Sequence, residues 1–149
     1  MTTGCQQQSS LYFGTVEPRH GPKELWINNS SEPEWLDPGR CSDSTGGEII
    51  WNTFEGLVQA HPATLKPLPA IATHWDISDD GRVYRFYLRP SFWSDGHPLT
   101  ADDFVFALQR LVDPQTGSKY ASNGFIFQQG LAISRGEAAV NTLGVRALD

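Results

Sequence analysis

A chain of 149 residues can form one domain with a core, and its apolar fraction of 39% and charged fraction of 19% are ordinary for a globular protein. The formal net charge of -6 argues against a nucleic-acid partner, because phosphate binding needs a basic face. No apolar run approaches the roughly 20 residues that cross a bilayer.

The N-terminal region, residues 1–22, has the composition of a flexible leader, and residues 23–149 form the folded part. Within the leader, Cys5 follows the small residues Thr2-Thr3-Gly4. A small residue before an N-terminal cysteine is typical of the end of a lipoprotein signal, so one interpretation is a lipid attached to Cys5. The alternative is a chance cysteine, because the charged and apolar regions of a signal peptide are missing upstream.

A strand and a helix are the first elements predicted after the leader. Lys23–Asn29 is apolar in the middle and bounded by turn-forming residues, which predicts a short strand. Thr45 and Glu48 have capping-box spacing and predict the start of a helix. The apolar stripe of this helix is Ile50, Phe54, Leu57 and Val58. From His61 to Pro69, three prolines predict an irregular segment.

A β-hairpin is predicted next, because apolar and polar residues alternate on both sides of Asp79-Asp80-Gly81. The apolar positions are Trp75, Ile77, Tyr84, Phe86 and Leu88. Ser94-Asp95-Gly96 predicts a further turn, and Thr100 with Asp103 predicts a second capping box. The helix that follows stops before Asp113-Pro114 and presents one apolar face. That face is Phe104, Leu108, Leu111 and Val112.

The C-terminal part of the sequence predicts two weaker elements. A helix is expected from Phe125 to Arg135, ended by Gly136. Residues Leu143 to Asp149 are expected to be the beginning of a strand, so that the chain stops within this element.

No set of residues in the sequence has the pattern of a catalytic or metal site. The pairs Asp79-Asp80 and Asp102-Asp103 are neighbours that point in different directions, so a turn and a helix start explain them better than acid–base catalysis. The histidines lie far apart, and there is no glycine-rich phosphate loop. Cys41 lacks a nearby base and is expected to be a free thiol. We therefore expect neither an enzyme nor a cofactor or bound metal.

The tryptophans could bind aromatic or sugar ligands, or they could pack in a core. Trp51, Trp75 and Trp93 lie in or beside predicted elements, where core packing is expected. Trp35 lies in a loop between two prolines and is the best candidate for an exposed ring.

Taken in order, these segments resemble the solute-binding proteins of bacterial peptide ABC importers, the oligopeptide- and dipeptide-binding proteins of extracellular solute-binding family 5. The most specific match is Trp93-Ser94-Asp95-Gly96 followed by Thr100-Ala101-Asp102-Asp103-Phe104. The resemblance extends from about Lys23 to Asp149. The other matching segments are Leu25 to Asn29, Leu36-Asp37-Pro38, Phe54 to Val58, Ala72 to Trp75, Asp79-Asp80-Gly81, Leu88-Arg89, Asp113-Pro114, Tyr120-Ala121-Ser122 and Leu143 to Asp149.

The resemblance implies an α/β fold of the periplasmic-binding-protein type (type II), whose two lobes close on a ligand. Residues 23–149 would be only the start of the first lobe and its small α+β subdomain, incomplete at the C-terminus. The whole protein would be monomeric and lie in the periplasm or at the cell-envelope surface. It would capture oligopeptides and deliver them to ABC permease subunits in the membrane.

Two alternatives to a peptide receptor remain open from the sequence. One is a receptor of the same fold for a nickel chelate, a sugar or an opine. The other is a secreted enzyme whose catalytic groups lie outside these residues.

The resemblance also implies where a ligand would bind. Cys41, Ser42, Asp43 and Ser44 would lie along the ligand and pair with its main chain as an added β-strand does. Their position in a loop between a turn and a capped helix suits this role, because ligand contacts concentrate on loops held by rigid neighbours. Tyr120 would belong to a pocket beside them, and its alternative role is that of a packed loop aromatic.

Overall fold

Residues 27–148 are described by a computed structural model and contain three α-helices and four strands. The elements in chain order are α1 (Ser44–Thr53), β1 (Val58–Ala60), β2 (Pro67–Pro69), β3 (Ala72–Ile77), β4 (Tyr84–Leu88), α2 (Ala101–Val112) and α3 (Gly130–Ser134). Short 3₁₀ turns lie at Pro114–Thr116, Ala121–Ile126 and Val140–Thr142. No helix in this part of the chain is long and apolar enough to span a membrane. The leader, Cys5 and the first four residues of the predicted strand, 23–26, lie outside the described residues.

The central hairpin agrees with its sequence prediction. Strands β3 and β4 are antiparallel, with Trp75 opposite Phe86 and Ile77 opposite Tyr84. Gly81 closes the turn at a φ of 69°, a value that favours glycine. The predicted turn at Gly96 is also present, at a φ of 89°.

A second hairpin includes the end of the segment predicted to be irregular from His61 to Pro69, because Pro67–Pro69 form strand β2, while residues 61–66 are irregular as predicted. Strands β1 and β2 are antiparallel, with Val58 opposite Pro69. The sequence prediction failed here because proline is compatible with a strand at a sheet edge, where its missing N–H is not needed. This hairpin continues into the central one, since the N–H groups of Ile71 and Ala72 donate to the carbonyls of Gly56 and Leu57.

Helix α1 begins earlier and ends earlier than predicted. Its N-cap is Asp43 and not Thr45, because Asp43 Oδ1 accepts the N–H of Gly46 at 2.7 Å. Phe54 has left the helix, with φ -115° and ψ 145°. Leu57 and Val58 therefore do not extend the helical stripe. The backbone of Leu57 bonds to Ala72 and Val58 pairs in β1, so pairing with distant residues ends the helix.

Helix α2 has the predicted bounds and the predicted core face. It is capped by Thr100 and ends at Val112, before the extended Asp113 and Pro114. Val112 is completely buried and packs with Ile133 and Leu143 in the core of the C-terminal part. The residues packed around them are Leu108, Phe127, Ala138, Val140 and Val145.

The predicted helix from Phe125 to Arg135 is shorter in the structure. Phe125 belongs to a 3₁₀ turn, and Gln129 has a positive φ of 67°, which breaks the helical path before α3. Gly136, at a φ of 74°, follows the end of α3 as predicted.

The strand predictions at the two ends of the chain are wrong for the described residues. Residues 27–29 and 143–148 have no regular structure, although Leu143 is buried and Gly144 donates to the carbonyl of Gln128 at 2.9 Å. A strand needs a partner as well as apolar residues, and neither segment is paired with a described strand. Asp149 lies outside the described residues.

The tryptophan predictions have mixed outcomes. Trp75 is partly buried and lies with its ring centroid 6.3 Å from that of Phe86 across the hairpin. Trp93 is 39% exposed and Trp51 is 81% exposed, so the core role predicted for Trp51 is wrong. Helix α1 instead packs through Gly46, where an added Cβ would lie 2.5 Å from the Trp35 carbonyl oxygen and 2.8 Å from Cys41 Sγ.

Candidate functional site

The turn at residues 37–41 leads directly into the predicted ligand-binding residues. The carbonyl of Asp37 accepts the N–H groups of Arg40 and Cys41, at 3.0 and 2.9 Å. Its side chain accepts the N–H of Gly39 at 2.9 Å through Oδ1. Pro38 fixes its own φ and restricts Asp37 before it. The local sequence therefore specifies a tight turn whose backbone donors are bound by one residue.

Cys41 and Asp43 are held together at the start of α1. The thiol of Cys41 is buried and free, as predicted, and it donates to the Asp43 carbonyl at 3.6 Å. The carboxylate of Asp43 caps the helix through Gly46. Both side chains are therefore engaged within the protein. Their backbone is engaged in part, because the Cys41 N–H donates to the Asp37 carbonyl and the Asp43 carbonyl accepts the N–H of Gly47.

Ser42 lies between them with its backbone available. Within residues 27–148, neither its N–H nor its carbonyl forms a hydrogen bond to the protein. Asp43 is extended, with φ -101° and ψ 156°, and Ser44 is exposed. An extended segment with free donors and acceptors can pair with another extended chain. Asp43 is thus extended and Ser42 has no backbone partner among residues 27–148, whereas Ser44 already begins α1.

An ion pair joins the Asp37 turn to α2. Arg110 Nη1 donates to Asp37 Oδ1 at 2.7 Å, and Nη2 donates to Oδ2 in a second, short bond. The hydrogen bond from Arg110 lowers the pKa of the Asp37 carboxyl, and the partial burial of that carboxyl opposes the shift. The same bond raises the pKa of Arg110. The bidentate geometry makes this a stronger contact than an ordinary surface ion pair.

Trp35 is partly covered by the chain itself. The guanidinium of Arg40 lies 3.7 Å from the centroid of its ring, within the range of a cation–π contact. The ring is 37% exposed. The prediction that Trp35 is the best exposed ring is therefore wrong, because a cation of the same loop covers one of its faces while Trp51 is 81% exposed.

Tyr120 is half exposed at the start of a 3₁₀ turn. Its backbone bonds to Ser118 and Asn123, and no hydrogen bond of the described chain joins it to residues 41–44. Its neighbour Lys119 lies 3.9 Å from Glu34, on the segment that leads into the Asp37 turn. The segment of Tyr120 is thus close to Glu34, and the placement of Tyr120 beside residues 41–44 stays a prediction.

One residue of each acidic pair has a structural role in the described part of the chain. Asp80 accepts the hydroxyl of Ser78 at 2.6 Å in the hairpin turn, and this bond lowers the pKa of Asp80. Asp103 accepts the N–H of Thr100 at the start of α2. No group of three or more histidines, cysteines or acids in residues 27–148 is placed to hold a metal ion.

The contribution of Arg110 was not predicted from the sequence. A basic residue in the last turn of a helix is also explained by the helix dipole, so it carries no signal of a distant partner. The Leu36-Asp37-Pro38 segment did mark the other half of the ion pair, as a turn.

Comparison with known proteins finds relatives that are named as solute-binding or ligand-binding proteins. The family model described as bacterial extracellular solute-binding proteins, family 5 Middle, matches residues 66–149. The chain is 44% identical to the probable deoxycholate-binding periplasmic protein YgiS of Escherichia coli, over 86% of this chain and 24% of that protein. It is 40% identical to the periplasmic oligopeptide-binding protein OppA of E. coli, over 82% of this chain and 23% of that protein.

A solved structure supports the same relationship. The substrate-binding domain of an oligopeptide ABC transporter from Bacillus anthracis superposes with a TM-score of 0.73 at 43% identity, covering 76% of this chain and 22% of that one. The chain therefore spans about a quarter of the length of the relatives that it matches. The predicted fold class, part of a two-lobed periplasmic-binding-protein-like α/β fold, is confirmed by these neighbours. The chain belongs to the bacterial extracellular solute-binding proteins of family 5.

Proposed function

We propose that the protein containing this chain is the receptor of an ABC importer, which captures oligopeptides outside the cytoplasm and delivers them to permease subunits. Residues 23–149 are the beginning of its first lobe, and the receptor acts as a monomer without catalysis. The observation that carries the peptide assignment is the extended Asp43 beside Ser42, whose backbone forms no hydrogen bond within residues 27–148. Main-chain pairing recognises peptides of many sequences, because every peptide offers the same donors and acceptors.

The side chains suit a wall that binds backbone. The Cys41 thiol is directed to Asp43, and the Asp43 carboxylate is occupied by the helix cap, so neither contributes strong selectivity. In this proposal Tyr120 adds apolar area beside the wall. The name of the oligopeptide-binding relative and that of the oligopeptide transporter structure support the same ligand class.

A bile acid is the second candidate ligand, because one relative at 44% identity is named as a probable deoxycholate-binding protein. A steroid has a rigid apolar body and no main chain to pair with, so it would gain from aromatic rings and little from a free backbone edge. The Ser42 backbone, which has no hydrogen-bond partner among the described residues, favours the peptide.

Location outside the cytoplasm follows from membership of an extracellular solute-binding family. Attachment to the envelope through a lipid on Cys5 belongs to the proposal and is tested separately, by mass spectrometry of the protein isolated from its own membrane fraction. An unmodified Cys5 in the mature protein would reject the lipid anchor and leave the proposed receptor function standing.

The test of function is calorimetric titration of the protein expressed from its complete reading frame. One arm uses a mixed library of short synthetic peptides, and the other uses deoxycholate. We expect heat of binding with the peptides and none with deoxycholate at the same concentrations. Binding of deoxycholate alone would replace the peptide assignment, and binding of neither would reject both.

A further inference from the structure

Asp37 collects five hydrogen bonds at the root of the 41–44 segment. Three come from the turn, from the N–H groups of Gly39, Arg40 and Cys41. Two come from the guanidinium of Arg110, which lies 73 positions later, in the last turn of α2. One side chain therefore both shapes the turn and fixes it to a distant helix.

The turn at Gly39 lies close to Arg110 and Thr116. A Cβ added at Gly39 would lie 3.3 Å from Arg110 Nη1 and 3.5 Å from Thr116 Cγ2. Asp37 and Arg110 have side-chain exposures of 26% and 37%, so the pair is partly shielded from water. Electrostatic attraction is stronger in such a place than at a fully exposed site.

The other ionic link between this loop region and the C-terminal part is weaker. Lys119 Nζ and Glu34 Oε2 are 3.9 Å apart, and both side chains are more than 60% exposed. A pair of this kind contributes little, because water and salt screen it and long side chains lose entropy in forming it. Among the described residues, the Asp37–Arg110 pair is thus the stronger ionic tie between the turn and α2.

We propose that Asp37 and Arg110 are a positioning pair, whose two parallel hydrogen bonds hold the 41–44 segment where it binds the ligand. The proposal rests on the proposed function for its ligand. Neither residue touches the peptide. The pair acts because Cys41 is bonded to the Asp37 carbonyl, so a shift of Asp37 relative to α2 moves the start of the segment. The planar guanidinium of arginine suits this task because it donates two parallel hydrogen bonds to one carboxylate, which the single ammonium group of lysine cannot do.

The experiment uses Asp37→Asn, Arg110→Ala and the double variant in the protein expressed from its complete reading frame. Each is titrated with the mixed peptide library, and its melting temperature is recorded. We expect each single variant to weaken affinity about tenfold, and the double variant to be no weaker than either, as for residues acting as a unit. Glu34→Gln is the matched control, because it removes the other ionic link of the same loop, and its affinity should stay within about twofold.

Two further readouts separate positioning from general stability. Arg110→Lys keeps the charge, so we expect its melting temperature to recover while its peptide affinity remains low. In the ligand-free protein, the amides of Arg40 and Cys41 should exchange hydrogen faster in Asp37→Asn than in the wild type, and at the wild-type rate in Glu34→Gln.

Each outcome decides the proposal. Wild-type affinity in both single variants, or unchanged exchange at Arg40 and Cys41, would overturn it and leave the peptide function standing. Full recovery of peptide affinity in Arg110→Lys would also overturn the proposal that two parallel hydrogen bonds from the guanidinium are needed. If the wild-type protein binds no peptide, the proposed function fails, and the exchange of the ligand-free variants alone decides whether the pair positions the segment.

Discussion

The carboxylate of Asp103 accepts two hydrogen bonds from Thr100, from its backbone N–H at 2.7 Å and from its hydroxyl at 3.2 Å. The carboxylate thus satisfies a backbone donor outside the helix, as in a capping box. Its negative charge is also favourable in the first turn of a helix. The cap of α2 therefore depends more on Asp103 than on the threonine hydroxyl.

This relationship predicts which of two substitutions destabilises the protein more. Asp103→Ala should destabilise the protein by about 1 kcal/mol, the usual cost of a lost cap, and Thr100→Ala by less. Asp102→Ala is the control, because Asp102 lies in the same turn and forms no side-chain hydrogen bond within residues 27–148. Chemical denaturation of the full-length protein measures all three. A larger effect of Thr100→Ala than of Asp103→Ala would show that the hydroxyl is the main cap.

Acid should selectively weaken the Asp37–Arg110 pair. The pKa of Asp37 is lower in the folded protein than in the unfolded chain, mainly because of the hydrogen bond from Arg110. The stabilisation is therefore complete above the unfolded value of about 3.9 and is lost as the pH falls through the folded pKa. Asp37→Asn should reduce stability by about 1 kcal/mol at neutral pH, a value limited by partial exposure of the pair.

Thermal unfolding from neutral to strongly acidic pH tests this prediction. The difference in melting temperature between wild type and Asp37→Asn should shrink below about pH 4, where the carboxyl of the unfolded wild-type chain takes up a proton before that of the folded protein does. A difference that stays constant down to the lowest pH at which both proteins fold would show that charge on Asp37 is not its cause.

Two glycines allow close packing of the 3₁₀ turn at Ala121–Ile126, Gly130 where the turn meets α3 and Gly124 where it meets α2. A Cβ at Gly130 would lie 2.1 Å from the carbonyl oxygen of Gly124, and one at Gly124 would lie 2.2 Å from Val112 Cγ1. Gly130→Ala should cost about 2 kcal/mol, within the range of overpacked sites, because backbone cannot move aside as a side chain can. Gly47→Ala is the control in α1: its Cβ would meet nothing within 4 Å, and the change should stabilise slightly. Equal melting temperatures for the two variants would contradict the close packing.

Substitutions in the candidate wall should separate backbone from side-chain recognition. Ser42→Ala should change peptide affinity little, whereas Ser42→Pro removes the free N–H and should weaken binding at least tenfold. Tyr120→Ala should cost roughly 1–3 kcal/mol of binding free energy if the ring packs on the peptide, and Tyr120→Phe should keep most of it. Calorimetric titration with the peptide library gives these values. Folded Ser42→Pro and Tyr120→Ala variants with wild-type affinity would move the binding site elsewhere.

The local features of the fold were predictable from the sequence. Alternation around Gly81 specified the β3–β4 hairpin, and the apolar spacing from Phe104 to Val112 specified α2 with its buried face. Both signals are contained in fewer than 20 consecutive residues. Helix α1 shows the limit of such reasoning, because Asp43 and Thr45 are both good caps and only the folded turn at Cys41 selects the first.

Features that depend on distant residues were missed. The end of α1 is set by the pairing of Leu57 with Ala72 and of Val58 with Pro69, and Arg110 finds its partner 73 positions earlier. The 41–44 segment was proposed from a resemblance and from its loop position. Its first residue, Cys41, is held by the turn at Asp37.

The central claim is that residues 41–44 pair with the backbone of a peptide. Hydrogen exchange of the Ser42 amide, in the full-length protein with and without the peptide library, tests it most directly. We expect the Ser42 amide to exchange fast without peptide, since this N–H has no partner among the described residues. At saturating peptide its exchange should slow strongly. The nearby Gly39 amide, already bonded to Asp37, should change little. Saturating peptide that leaves Ser42 exchange as fast as in the free protein would contradict the account.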